Sequence, residues 1–196
     1  MIEIRNCSKA FGKIQAVNQV SLQITDREIF GLIGTNGAGK STLLRMMAGI
    51  IKADEGEILM DKNPVYEQEE VKRDLFYISD AAYFPANYTA ADLMRFYREF
   101  YPRFITERYV KLMQQFHLDE TRKISTYSKG MKKQLLVIMG ISAGTRYLLC
   151  DETFDGLDSV MRQAVKSLFA SEIINRNFTP VIASHNLREL EDICDH

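Results

Sequence analysis

The sequence predicts an α/β protein with a mixed, mainly parallel sheet, and three observations support that fold class. Residues 29–33 and 147–150 are continuous apolar runs, which are typical of parallel strands buried on both faces. Residues 2–5 and 20–24 alternate apolar and polar side chains, which is typical of strands with one face in solvent. Segments with helical spacing lie between the strands. We therefore expect a mainly parallel core with an antiparallel sheet at its edge.

Shorter strands complete the predicted sheets. Residues 57–60 have the composition of a strand, and the turn at residues 61–64 closes it. Residues 75–79 and 180–183 are two further short strands. Because parallel strands need long crossover connections, helices are expected between them.

The middle of the chain predicts a helical subdomain over about residues 81–140. Residues 90–97 and 107–113 have helical spacing, and Pro102 separates them. No linker or repeat interrupts the chain, so residues 1–196 are expected to form one domain. An aromatic stripe in this region is expected to face the core rather than a ligand: Phe96, Tyr97, Phe100 and Tyr101.

A glycine-rich stretch after residues 29–33 predicts a phosphate-binding loop. Its glycines allow successive backbone N–H groups to point inward, and the first turn of the next helix adds further donors. Lys40 is expected to reach the β- and γ-phosphates, and the hydroxyl of Ser41 to bind Mg²⁺. A turn that only caps a helix is the alternative, and the rest of the chain argues against it. The residues predicted to bind phosphate are Gly34, Thr35, Asn36, Gly37, Ala38, Gly39, Lys40, Ser41 and Thr42.

Two carboxylates follow the second apolar run directly. Asp151 and Glu152 should lie at the carboxyl end of a buried strand, which is where ligands bind in an open α/β sheet. Phosphoryl transfer needs one carboxylate to hold Mg²⁺ and another group to orient the attacking water. Asp151 fits the first role and Glu152 the second. A solvated acidic turn is the alternative for such a pair on its own.

Composition excludes several other classes of protein. The formal net charge of −1 over 196 residues provides no basic field for nucleic acid, so a nucleic-acid partner is not expected. No apolar run approaches the roughly 18 residues that span a bilayer, and the amino terminus lacks the pattern of a signal peptide. The three cysteines are widely spaced, which favours reduced structural thiols over a disulfide framework or a zinc site.

These motifs together resemble the nucleotide-binding domain of the ATP-binding cassette (ABC) family, and the resemblance covers the whole chain. It implies that Phe11 stacks on the adenine of ATP and that Asp155 lies in the loop that touches a partner subunit. It also implies that His185 is the switch histidine, whose imidazole contacts the γ-phosphate.

The family's Leu-Ser-Gly-Gly-Gln signature reads Tyr-Ser-Lys-Gly-Met at residues 127–131. Ser128 and Gly130 are retained, and they can present a hydroxyl and a bare N–H to a γ-phosphate at a helix N-terminus. This variant resembles the branch of the family that exports drugs, peptides and cell-envelope compounds. A second departure is Asp80, which stands where the family usually has a glutamine that links Mg²⁺ to the membrane partner. We expect Asp80 to serve as a direct or water-mediated metal ligand.

The resemblance implies an ATPase in which two copies enclose two nucleotides. Lys40, Glu152 and His185 are the expected catalytic residues, with ATP and Mg²⁺ as cofactors. A second nucleotide-binding subunit would complete each site through Ser128 and Gly130. Separate transmembrane permease subunits would hold the chain on the cytoplasmic face of the membrane.

Two other functions are weighed against this one. A soluble ABC ATPase that acts on ribosomes or nucleic acid is the first alternative, although such proteins usually carry two cassettes or long inserted arms, and this chain has neither. A non-enzymatic regulatory subunit is the second, and the presence of Glu152 and His185 argues against it. Relatives usually continue with a further strand and helix, so the chain, which stops just after an expected helix at residues 187–194, looks shortened. The transported substrate would be specified by the membrane partner.

Overall fold

A computed structural model describes residues 1–191 and residue 194, and within them the α/β fold class is confirmed. The strands are β1 (Ile2–Phe11), β2 (Ile14–Ile24), β3 (Phe30–Ile33), β4 (Glu55–Met60), β5 (Asn63–Pro64), β6 (Leu75–Ile78), β7 (Tyr147–Asp151) and β8 (Thr179–Ser184). Strands β1, β2, β4 and β5 form one sheet, and strands β3, β6, β7 and β8 form the other. The helices are α1 (Lys40–Met47), α2 (Glu69–Lys72), α3 (Ala90–Phe100), α4 (Thr106–Gln115), α5 (Lys129–Ser142), α6 (Ser159–Asn175) and α7 (Leu187–Glu191).

The strands separate into two sheets by direction. One sheet has the order β2-β1-β4-β5 and is antiparallel throughout. The other has the order β3-β8-β7-β6, and each of its three pairings is parallel. The predicted mixture of strand directions is therefore present, with parallel and antiparallel strands segregated. Because the parallel strands share one direction, the carboxyl ends of β3, β7 and β8 meet at one edge, where the predicted site residues follow.

Strand β7 divides the hydrophobic core into two parts. All of its residues are buried, and successive side chains point to opposite faces of the sheet. Leu148 and Cys150 belong to the core that lies against α5 and α6, whereas Tyr147 and Leu149 belong to the core that includes α1. This two-sided burial explains why β7 reads as a continuous apolar run.

Helices α3, α4 and α5 occupy the region predicted to be helical. Helix α3 begins with a capping box, in which the Thr89 hydroxyl accepts from the Asp92 backbone and the Asp92 carboxylate accepts from the Thr89 N–H. Helix α5 carries a nearly continuous buried run, from Leu135 to Ser142.

The prediction that the whole aromatic stripe of α3 is core was wrong for two of its four members. Tyr97 and Tyr101 pack on Phe76, with ring centroids 5.0 and 5.3 Å away. Phe96 and Phe100 are exposed and pack on each other at 4.9 Å. Adjacent helical positions are about 100° apart, so Tyr97 and Tyr101 face Phe76 of β6 while Phe96 and Phe100 point away from it into solvent.

The carboxyl-terminal helix was predicted over residues 187–194, and the structure gives α7 over Leu187–Glu191. Asp192, Ile193, Asp195 and His196 lie outside the described residues, so the predicted end of this helix is not described. Within the described part of the chain, none of the helices combines the length and the apolar character needed to cross a membrane.

Candidate nucleotide site

The predicted phosphate-binding loop lies between β3 and α1. Gly37 and Gly39 have φ values of +83° and +87°, a left-handed conformation that costs glycine least. Gly39 is also the N-cap of α1, and a Cβ built there would lie 2.0 Å from the carbonyl oxygen of Ala16 in β2. Both observations show that the backbone conformation and the nearby Ala16 carbonyl favour glycine at position 39. The sequence prediction of a strand, a loop and a helix in this order matches the structure.

The ammonium group of Lys40 lies inside the curve of the loop. Its Nζ donates to the backbone oxygens of Gly34 at 2.7 Å and Thr35 at 3.2 Å. It also lies 3.4 Å from Oε1 of Glu152, and only 9% of the Lys40 side chain is exposed. The cation is thus held where phosphate oxygens would meet the N-terminus of α1.

Ser41 and Asp151 meet directly. The Ser41 hydroxyl donates to Oδ1 of Asp151 at 2.9 Å, and the Tyr77 hydroxyl donates to Oδ2 at 3.1 Å. Burial, together with the negative charge of Asp151, raises the pKa of Tyr77, so this phenol stays a donor at neutral pH. Two hard oxygen ligands from the protein, with phosphate oxygens and water, are the set that Mg²⁺ prefers. The residues therefore fit the predicted metal.

Glu152 joins the loop to the last predicted site residue. Its Oε2 lies 2.8 Å from Nδ1 of His185, while its Oε1 faces Lys40. Its backbone has a φ of +47°, which is uncommon for any residue other than glycine, asparagine or aspartate. Its N–H donates to the Ala183 carbonyl of β8 at 3.0 Å. The structure therefore brings Lys40, Glu152 and His185 into one connected set of contacts.

Ser128 and Gly130 lie at the N-terminus of α5, apart from the loop. Ser128 is the N-cap, and its hydroxyl accepts from the N–H of Met131 at 3.2 Å. Within the described residues, no hydrogen bond joins Ser128 or Gly130 to residues 34–42. Lys129 is paired with Asp155 at 2.7 Å, and this contact raises the pKa of Lys129 and lowers that of Asp155.

Phe11 and Asp80 lie away from the central contacts. Phe11 ends β1 with about half of its surface exposed, and Nζ of Lys9 lies 5.7 Å from the ring centroid. The Asp80 carboxylate lies 3.5 Å from Nζ of Lys133 and makes no hydrogen bond to Ser41 or Asp151 within the described part of the chain. Its role as a metal ligand stays a prediction.

Lys133 is a site residue that the sequence reasoning did not find. Its Nζ donates to the backbone oxygen of Glu152, and the residue is buried. The available signal was its position in the helix that starts at the signature. Helical spacing places Lys133 on the same face as Leu136 and Val137, which are apolar. A lysine followed by a buried helical run is normally read as surface.

The sequence of the chain is similar to those of known proteins. Residues 17–155 match the family model described as ABC transporter. The chain is 38% identical over 195 residues to the ABC transporter ATP-binding protein YtrB of Bacillus subtilis, covering 100% of this chain and 67% of YtrB. It is 25% identical to the lipopolysaccharide export system ATP-binding protein LptB of Haemophilus influenzae, covering 100% of this chain and 84% of LptB. It is 28% identical to the bacitracin transport ATP-binding protein BcrA of Bacillus licheniformis, of which it spans 65%.

Solved structures show the same fold. A structure titled as the ATP-binding subunit of an ABC transporter superposes with a TM-score of 0.90 at 22% identity, covering 100% of this chain and 83% of the other. The dimeric structure of MJ0796, a bacterial ABC transporter cassette, gives a TM-score of 0.86 at 21% identity, covering 98% and 91%. Together with the family match and the assembled loop, these likenesses identify the chain as an ATP-binding, ATP-hydrolysing member of the ABC transporter family.

Proposed function

We propose that this chain is the ATP-binding subunit of an exporter and that it drives separate transmembrane subunits through ATP-dependent dimerisation. The observation that carries the proposal is the connected set of Lys40, Glu152 and His185 beside the Ser41–Asp151 contact. The direction of transport rests on the Tyr-Ser-Lys-Gly-Met signature, and LptB and BcrA are relatives whose names describe export and bacitracin transport. The methionine import protein MetN of Clostridioides difficile is also similar, at 30% identity. The signature, not overall identity, therefore favours export.

Each side chain of the site has a role that its position supports. The loop N–H groups and Lys40 bind the β- and γ-phosphates of ATP, because the loop leads into the N-terminus of α1, where unpaired N–H groups and a cation favour an anion. Ser41 and Asp151 would hold Mg²⁺, which would neutralise charge on the phosphates. The Glu152 carboxylate orients and polarises the attacking water, and His185 stabilises the charge that develops on the γ-phosphate.

The site needs a second subunit for completion. Ser128 and Gly130 are at the N-terminus of α5, where a hydroxyl and free N–H groups favour an anion. They do not meet the loop of their own chain, so we place them against the γ-phosphate bound by the partner. ATP then stabilises the closed dimer because it contacts both subunits there and only one when the dimer is open.

The proposal also includes the predicted domain, the adenine contact and the membrane partner. We propose one ABC ATPase domain over residues 1–196, with the helices between about residues 81 and 140 as its helical subdomain. Phe11 stacks on adenine through its exposed ring. The membrane partner docks on the surface around residues 80–88, and it holds the chain at the cytoplasmic face of the membrane.

Glu152→Gln tests the proposal because it removes the basic carboxylate and keeps the shape of the side chain. We expect turnover to fall by about 100-fold or more, the scale of general-base catalysis. ATP affinity should be retained, and an ATP-dependent dimer should accumulate. The measurements are phosphate release, equilibrium ATP binding and sedimentation velocity of the purified chain.

Glu107→Gln is the matched control, since Glu107 is exposed on α4 and far from the loop in sequence. It should behave as wild type in all three measurements. Normal turnover by Glu152→Gln, or a monomer in saturating ATP, would contradict the proposal. Recovery of a polytopic membrane protein with the tagged chain tests the transport part separately.

A further inference from the structure

We propose that Lys133 is a positioning residue for Glu152 and that Asp80 holds Lys133 in place. The inference rests on the proposed role of Glu152 in ATP hydrolysis. It concerns Lys133 on α5, which contacts the backbone of Glu152, and Asp80, which follows β6 and contacts Lys133.

The ammonium group of Lys133 is an unusual component of the protein interior. Only 7% of the Lys133 side chain is exposed, and its surroundings include the apolar side chains of Ile78, Phe84 and Leu136. A buried cation persists only where hydrogen bonds and opposite charge compensate for lost hydration. Here the backbone oxygen of Glu152 and the carboxylate of Asp80 provide that compensation.

The contact with Glu152 acts on a strained backbone. With a φ of +47°, Glu152 is in the left-handed region, which is unfavourable for a residue with a Cβ. Its N–H is tied to the Ala183 carbonyl, and its own carbonyl is tied to Lys133. Hydrogen bonds on both sides of the Cα therefore hold the backbone of Glu152 and the direction of its Cα–Cβ bond. From that bond the side chain reaches the site, with one carboxylate oxygen beside Lys40 and the other beside His185.

Asp80 makes the weaker of the two contacts. Its side chain is 53% exposed and its carboxylate lies 3.5 Å from Nζ of Lys133, a geometry in which solvent screens the attraction. We therefore assign Asp80 to orienting the ammonium group and the Glu152 carbonyl to receiving its main hydrogen bond. Loss of Asp80 should loosen Lys133 without removing its contact with Glu152.

Lys133→Met is the principal test because it keeps the apolar stem and removes the ammonium group. Loss of a charged hydrogen bond at a catalytic backbone should lower kcat for ATP hydrolysis by about 10- to 100-fold. KM and the equilibrium affinity for ATP should stay within about twofold, since the loop and Lys40 are untouched. Lys133→Arg keeps a cationic donor and should recover most of kcat.

Lys132→Met is the matched control. Lys132 is the preceding residue on α5, and its ammonium makes neither contact in the described structure. Its kcat should equal that of wild type. Lys133→Gln is a second variant, polar enough to be tolerated if methionine prevents folding, and its shorter side chain should cost as much kcat. The folding of each variant is checked by thermal unfolding.

A double-mutant cycle tests the link to Asp80. Asp80→Asn should lower kcat by about two- to fivefold in the wild-type background and have no further effect in Lys133→Met, because both changes act on one contact. An equal loss in both backgrounds would overturn the link and assign Asp80 an independent role, such as the metal ligand predicted above. If wild type is active and Lys133→Met retains wild-type kcat, or loses ATP affinity in proportion to kcat, the positioning role is refuted. An inactive wild type would instead refute the proposed function.

Discussion

Two glycines of the phosphate-binding loop form a matched pair for a stability measurement. Gly37 and Gly39 both have positive φ, so alanine is strained at either position. A Cβ at Gly37 would have no heavy atom within 4 Å, whereas a Cβ at Gly39 would lie 2.0 Å from the carbonyl oxygen of Ala16. Comparison of Gly39→Ala with Gly37→Ala therefore isolates the cost of the clash from the cost of the conformation.

The expected costs follow from these two geometries. Gly37→Ala should destabilise the fold by about 1–2 kcal/mol, the cost of a left-handed residue with a Cβ. Non-bonded heavy atoms prefer separations near 3.5 Å, so at Gly39 the loop or β2 would have to move by roughly 1.5 Å. Overpacking of that kind adds about 1–3 kcal/mol. Gly39→Ala should thus be the less stable variant by about 1–3 kcal/mol.

Urea unfolding of the nucleotide-free protein is the suitable assay, because both residues are proposed to bind phosphate and an activity assay would mix two effects. The free energy of unfolding is compared among wild type and the two variants, with equal m-values as the check that the transition is the same. Equal midpoints for the two variants would show that the approach of Gly39 to Ala16 is looser than the structure has it, and would refute the steric argument.

Two further predictions concern charges outside the site. The capping-box contacts lower the pKa of Asp92 to about 2, below its unfolded value near 3.9. The contribution of the Asp92 carboxylate to stability is therefore full above about pH 4 and is lost as pH falls through about 2. In acid-unfolding curves, the stability advantage of wild type over Asp92→Asn should shrink across that range. Glu172 is fully buried and is paired with Arg108 and Arg176. Glu172→Gln should therefore lower the free energy of unfolding in urea by about 3 kcal/mol. This is near the lower end for a broken buried pair, because the side chains of both arginines are partly exposed to solvent. Exposed Glu107→Gln is the control, and equal stability of the two variants would contradict the pairing.

The parts of the fold that were predictable from sequence depend on local pattern. Strand β7 is recognisable as a buried apolar run because both of its faces are covered. The phosphate-binding loop is recognisable because Gly37 and Gly39 adopt positive φ values that favour glycine. Asp151 and Glu152 could be assigned to the site because chain direction alone places them at the carboxyl edge of the sheet. These inferences need no knowledge of which elements pack together.

The parts that were not predictable depend on tertiary packing. Burial of Lys133 requires the backbone oxygen of Glu152 to approach α5, and nothing in the local sequence reports that distance. The exposure of Phe96 and Phe100 likewise depends on how α3 lies on β6, since helical spacing alone does not give the width of the buried face. The left-handed backbone of Glu152 has no residue signature, because glutamate rarely adopts it.

Contacts within the nucleotide site link phosphate binding by Lys40 to the availability of the Glu152 carboxylate. Lys40 contacts the carbonyl oxygen of Gly34 and the carboxylate of Glu152, and the Ser41 hydroxyl donates to Asp151. Because these groups pair with one another and with the loop, binding of phosphate and metal there would exchange hydrogen bonds and ion pairs instead of only adding them. A γ-phosphate on Lys40 would draw the ammonium away from Glu152 and leave that carboxylate free to accept from water. The base would then be released by the substrate itself, and the backbone contact from Lys133 would keep it in position during the exchange.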